Sequence, residues 1–178
     1  SYCGYEIYPG KKPLDGLPAT YVENNSEADT LEITLADPLT GLKIILSYSV
    51  FEDYDVITKS VRAVNEGAQP IDVQSILSST TYLFDKNYEF VHLTGAWARE
   101  RHIQKQPLMN GTMQIDSKRV ASGHIHSPFL ALARPWATEN QGEVYGYSFV
   151  YSGNFIMQTE TNQQDVVRVN IGINPFGF

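Results

Sequence analysis

The sequence predicts an all-β fold, an antiparallel sandwich preceded by an extended N-terminal arm, from three observations. The 178 residues include 11 Tyr and 8 Phe, side chains that suit a pleated, half-buried surface. Apolar residues recur every second position in several segments, and no segment sustains the i, i+3, i+4, i+7 stripe of a helix. Turn residues separate those segments.

In chain order, residues 1–29 carry the breaks Pro9-Gly10, Pro13, Gly16 and Pro18 with little alternation, which predicts an extended arm or long loop. Residues 30–178 are expected to form the sandwich. Leu31, Ile33 and Leu35 alternate with polar residues, giving a strand with one dry and one wet face. Leu42 to Phe51 is more continuously apolar and reads as a central strand, as does Phe129 to Ala133. Ile71, Val73, Ser75 and Leu77 repeat the two-residue spacing. So do Tyr145, Tyr147, Phe149 and Tyr151, and Val167, Val169 and Ile171. Asp37-Pro38, Asn65-Glu66-Gly67, Asn110-Gly111, Asn140-Gln141-Gly142 and Ser152-Gly153-Asn154 supply the turns. About ten short strands in one domain are expected.

Composition excludes several classes of function. A net charge of −7 opposes a phosphate backbone, so no nucleic-acid partner is expected. No apolar run approaches the roughly 20 residues of a spanning helix, so no membrane partner is expected. Cys3 is the single cysteine, which rules out an internal disulfide framework and favours a reducing, cytoplasmic setting.

The acidic run Glu52, Asp53 and Asp55 follows a strand directly. Glycoside hydrolysis needs carboxylates facing across a bond, and neighbours in one turn do not face each other, so a solvated turn is expected. His124 and His126 stand two apart, as two metal ligands could, but no Cys and no further His lies nearby in sequence, so a hydrogen-bonded loop is the expectation. No Gly-x-Ser-x-Gly elbow and no phosphate-cradling glycine motif occurs. No catalytic residue, metal or cofactor is therefore assigned. Trp97, Arg99 and Arg101 would share one face of a strand. They would offer a ring flanked by forked donors, fit either for a sugar or for an interface.

Longer motifs carry a family resemblance. Leu93-Thr94-Gly95-Ala96-Trp97-Ala98-Arg99-Glu100-Arg101, then Pro107-Leu108-x-x-Gly111 and Ser117-x-Arg119, resemble the N-terminal domain of glycoside hydrolase family 36 α-galactosidases. Ser122, His124, Pro128-Phe129-x-Ala131-Leu132, the run Gly142 to Phe155 and Arg168-Val169-x-Ile171-Gly172-Ile173-Asn174-Pro175 continue it. Glu6-x-Tyr8-Pro9, Leu17-Pro18-Ala19 and the run Val50 to Val61 extend it upstream, so it covers nearly the whole chain.

The resemblance implies a β-supersandwich of the galactose mutarotase shape, placed before a TIM-barrel catalytic domain. The barrel of that family hydrolyses terminal α-galactosides such as melibiose and raffinose, with retention, using two aspartates in motifs absent from this sequence. The chain is thus expected to be a non-catalytic part of a longer enzyme, whose partners are its own barrel, further copies in a homo-oligomer and the galactoside. In the family an N-terminal loop reaches a neighbouring subunit's site, and Tyr8 and Asp15 occupy the matching segment. Leu14-Asp15-Gly16-Leu17-Pro18 stands where an Asp-Phe-Arg-x-Pro-like motif is common, so that Arg has no counterpart here. The resemblance makes Tyr8 and Asp15 expected accessory substrate contacts, and the strand-face reading adds Trp97 and Arg99. Two alternatives stay open: a stand-alone carbohydrate-binding module on the Trp97 face, and a mutarotase-like enzyme using one of the four His residues.

Overall fold

A run of residues that is polar on one side and apolar on the other forms a strand only where a neighbour accepts its backbone hydrogen bonds. Twelve segments of the computed structural model do so among the described residues, which are 1–16 and 18–177. All pairings given are antiparallel, as the sequence predicts. The chain divides into two compact units, Ser1–Ser78 and Ser79 onward.

The first unit is a meander of four neighbouring strands, β1 (Tyr2–Pro9), β2 (Asp29–Ala36), β3 (Leu42–Phe51) and β4 (Val56–Asn65). The predicted strands at Leu31–Leu35 and Leu42–Phe51 are β2 and β3, and β3 is central, between β2 and β4. The expected arm differs in its first part: Tyr2–Pro9 is a strand paired with β2, Ile7 facing Leu31 and Tyr8 facing Thr30. The mixed composition Tyr-Cys-Gly-Tyr-Glu-Ile-Tyr-Pro hid it, because its side chains stay largely exposed on both faces. A buried hydroxyl fastens the end of β1. Thr30 Oγ1 lies 2.6 Å from the Gly10 carbonyl and 2.7 Å from Ser49 Oγ, and Gly10 N donates to the Ala28 carbonyl at 2.6 Å. Glu52 to Tyr54 form an exposed 3-10 turn between β3 and β4, closed by Asp55 at φ 52°, so the acidic run is the solvated turn the sequence predicts. Ile71 to Ser75 form no strand despite their spacing, and pairing resumes only at Leu77.

The second unit holds two four-stranded sheets. One has the order β10 (Val144–Ser148), β9 (His126–Ala133), β6 (Glu89–Ala96), β7 (Arg99–Pro107). The other runs β5 (Leu77–Leu83), β12 (Val167–Ile173), β11 (Phe155–Thr161), β8 (Gly111–Asp116). Their inner faces meet in one core: Phe90, Leu130 and Leu132 from the first sheet, and Ile115, Phe155, Met157, Val167, Val169 and Ile171 from the second. Burying each such side chain contributes about 1.5–3 kcal/mol. β11 shows strict alternation, with Phe155, Met157, Thr159 and Thr161 all turned inward. β9 is central, as predicted, and its Leu130 and Leu132 are fully buried. The predicted Tyr145–Tyr151 strand stops at Ser148, and beyond it Phe149 N still donates to the Pro128 carbonyl at 3.0 Å. No helix among the described residues is long and apolar enough to cross a membrane.

Candidate functional site

The sequence-predicted site residues fall in two places, one in each unit. In the first, β1–β2 pairing sets Glu6 directly opposite Glu32, a like-charge pair that needs a cation. Lys12 supplies it: its Nζ is 2.8 Å from Glu32 Oε2, 4.0 Å from Glu6 and 4.3 Å from the centre of the Tyr8 ring. Ser47 Oγ donates to Glu32 Oε1 at 3.0 Å from β3. Burial pushes the Glu32 carboxyl up, but hydrogen bonds from Lys12, Ser47 and Tyr8 outweigh it and hold the group below its ordinary value. Burial first and Glu32 second push the Tyr8 phenol up, so the ring remains a neutral donor. Asp15 lies in the exposed turn Asp15-Gly16 that follows, and Leu17 of the same motif lies outside the described residues.

In the second unit, Trp97 and Arg99 belong to the β6–β7 hairpin. Ala96 pairs with Arg99, so Trp97 and Ala98 form the turn, with Ala98 at φ 63° and Trp97 83% exposed. The expectation that Trp97, Arg99 and Arg101 share one strand face fails here. Trp97 stands in the turn, and the register shifts between Thr94 and Ala96, setting Glu100 and Arg101 together opposite Gly95 with Arg101 at φ 61°. That bulge breaks the two-residue alternation on which the shared face depends. Glu100 instead accepts the Ala98 N–H at 2.8 Å and braces the turn.

Two further groupings were not visible in the sequence. β6–β9 pairing brings His92 beside His126, ring centres 5.6 Å apart, whereas His124 lies exposed in a turn away from the strand. The Nδ1 atoms of His92 and His126 are buried without a hydrogen-bond partner. Burial lowers both imidazoles from their ordinary value, His126 further lowering His92 while Asp116 partly offsets the effect on His126. Among the described residues no three His, Cys, Asp or Glu converge to hold a metal.

The other grouping centres on Arg134 at the end of β9. Its guanidinium donates to both Asp85 carboxylate oxygens at 2.6 and 3.0 Å, to the Asn87 carbonyl at 3.2 Å and to Glu143 at 3.4 and 3.5 Å. It lies 3.9 Å from the Tyr88 ring centre and 6.0 Å from that of Trp136. Tyr88 donates its hydroxyl to Glu143 at 2.6 Å, and burial, followed by that hydrogen bond, pushes the phenol well up. Arg134 holds Asp85 below the usual carboxylate range, and Tyr88 with Arg134 does the same to Glu143. A glycosidase acid must carry a proton near neutrality, whereas the donors around Glu32, Asp85 and Glu143 favour the ionised form of each.

The sequence model of one family, the glycosyl hydrolase family 36 N-terminal domain, matches residues 1–178. The chain belongs to this family. Alpha-galactosidase AgaA of Geobacillus stearothermophilus is 49% identical over 177 residues, which are 99% of this chain and 24% of that protein. Probable alpha-galactosidase C of Aspergillus terreus is 38% identical, over 98% of this chain and 23% of its own length. The crystal structure of the same Geobacillus enzyme superposes with a TM-score of 0.97 at 48% identity, over 99% of this chain and 25% of that one. The galactosidase domain of an alpha-galactosidase-sucrose kinase superposes at 0.93 with 37% identity, over 98% of this chain and 24% of that one. The chain thus spans about a quarter of the length of the family 36 relatives it matches.

Proposed function

We propose that this chain is a non-catalytic sandwich domain of a retaining α-galactosidase, acting as one module ahead of a catalytic barrel. The observation that carries the reading is the whole-chain family match confined to about a quarter of proteins named as α-galactosidases. The chemistry supports it: Glu32, Asp85 and Glu143 are each tied to a cation and to at least one further donor, so they stiffen the scaffold rather than deliver protons. The module's work is support of the barrel and of neighbouring subunits in a homo-oligomer. Exposed Trp97 and Arg99 on the hairpin, and Tyr8 with the Asp15 turn, are its accessory contacts around the galactoside pocket. A cytoplasmic location fits an exposed, unpaired Cys3.

The test is activity. The isolated chain, incubated with an aryl α-galactoside, should release no phenol, while the product of the gene read beyond residue 178 should hydrolyse it. Turnover by the isolated chain, or none by the longer product, overturns the proposal.

A further inference from the structure

One sheet edge of the second unit keeps charge and hydrogen-bonding capacity that the chain itself does not use. β7 lies outermost in the order β10-β9-β6-β7, so the backbone groups on its far side have no strand to meet. All nine of its residues are exposed. In the same unit Lys86 pairs with Asp165, Lys118 with Asp116, Arg134 with Asp85 and Glu143, and Arg168 with Glu160. Among the described residues the cations of that unit without an ion pair are Arg119 and, all on β7, Arg99, Arg101 and Lys105. Glu100, the carboxylate of the strand, is turned to the Ala98 N–H. Past the bulge the pairing is regular, Ile103 opposite Leu93 and Lys105 opposite Val91, which is the spacing a further strand needs.

We infer that β7 docks an extended acidic segment of a different protein, which adds as a further strand and sets carboxylates against Arg101 and Lys105. Backbone hydrogen bonds to the edge supply the grip, and the unpaired cations supply the selectivity. Two observations choose this occupant. A second copy of the chain has no such strand to offer. Among the described residues the other edge strands, β1, β4, β5, β8 and β10, carry no carboxylates beyond Glu6 on β1 and Asp116 on β8. The acidic run Glu52 to Asp55 is folded into a 3-10 turn and is not extended. A permanently joined domain is a poor match as well. Permanent interfaces are apolar, like a core cut in half, whereas β7 has Ile103 as its one large apolar side chain. An edge this polar suits water, and a partner that comes and goes. The inference is independent of the accessory contacts proposed for Trp97 and Arg99.

The probe is a labelled, end-capped peptide of alternating Glu and Thr, as long as β7, followed by fluorescence anisotropy. It is titrated with this chain and with the product of the gene read beyond residue 178. Both should bind it saturably, with half-saturation at about 0.1 mM, and more weakly as salt rises. A peptide with Gln for every Glu should not bind, nor should the acidic peptide with every amide N-methylated, which keeps the charge but cannot donate to the edge. R101Q with K105Q should weaken binding about tenfold at an unchanged melting temperature. R119Q, which removes the unpaired cation off the strand, should leave it unchanged. Absence of saturable binding overturns the inference, as does full affinity in R101Q with K105Q. Equal binding of the N-methylated peptide, or an equal loss in R119Q, reduces the effect to unspecific charge attraction and also overturns it. Binding by this chain but not by the longer product means that the enzyme covers the edge itself, and no other protein docks there.

Discussion

Replacing Gly95 by alanine tests the hairpin bulge directly. A Cβ at Gly95 would lie 2.3 Å from the Arg99 carbonyl oxygen and 2.7 Å from the Glu100 Cα, against an ordinary contact of 3.4 Å or more. Both obstacles are backbone, so no rotamer change relieves them and β7 must move by about 1 Å, which puts the cost near the upper end of the 1–3 kcal/mol of overpacking. On the other side of the strand, Gly95 N donates to the Ile125 carbonyl at 3.2 Å, which limits retreat in that direction. Alanine stiffens the unfolded chain and returns about 0.4–1 kcal/mol. The net loss is about 2 kcal/mol, or roughly 10 °C in melting temperature for a unit of about 100 residues. G146A is the internal control, because a Cβ there meets nothing within 4 Å, and it should be neutral or slightly stabilising. Thermal unfolding in a W136F background, followed by the emission of Trp97 in the hairpin turn, reads both variants. G95A melting at or above G146A refutes the bulge geometry.

Two other outcomes are expected. His92 and His126 have imidazoles lowered by burial, so the folded state binds fewer protons than the unfolded one. The stability they lend is complete above the unfolded value near 6.5 and is lost as pH falls from there through the folded values. Urea midpoints measured from pH 7.5 down to pH 5 should fall, and H92F with H126F should flatten that slope. Thr30→Val removes the buried hydroxyl held by Gly10 and Ser49 and leaves their oxygens short of a partner. It should cost about 1–2 kcal/mol in urea titration, seen as a lower midpoint with an unchanged slope. A smaller effect for Thr30→Val than for a surface Thr would show that the hydroxyl does not fasten β1.

Alternation in the sequence located β2 and β12 but passed over β11, whose inward positions Phe155, Met157, Thr159 and Thr161 include two polar residues. Leu31 to Leu35 became β2, and Val167, Val169 and Ile171 became the buried side of β12. Continuous apolar runs marked β3 and β9 as central, since both have neighbours on each side. The same signal misled at Ile71 to Ser75, because spacing alone gives no hydrogen-bond partner. It was silent for β1 and for β7, whose nine residues are all exposed and so carry no dry face to alternate. The site was less legible than the fold. Trp97 and Arg99 were found through a motif, but their relative placement depends on Gly95 accommodating a bulge, which two-residue counting assumes away. His92 with His126, and Asp85 with Arg134 and Glu143, are far apart in sequence, and strand pairing and loop closure alone bring them together. The run Gly142 to Tyr145 drew attention as a family signature, and only the fold shows Glu143 sharing one guanidinium with Asp85.

The exposed strand β7 forms the free border of its sheet and offers unpaired backbone groups to any passing chain. Its sequence, Arg-Glu-Arg-His-Ile-Gln-Lys-Gln-Pro, places three permanent cations along that border and ends on a residue with no N–H to give. Two such borders brought side by side would press like charges together, so the ribbon discourages stacking into fibrils while leaving a charged partner free to dock. Neutralising Arg99, Arg101 and Lys105 together would remove that like-charge repulsion, and light scattering should then show more self-association than for the unaltered chain.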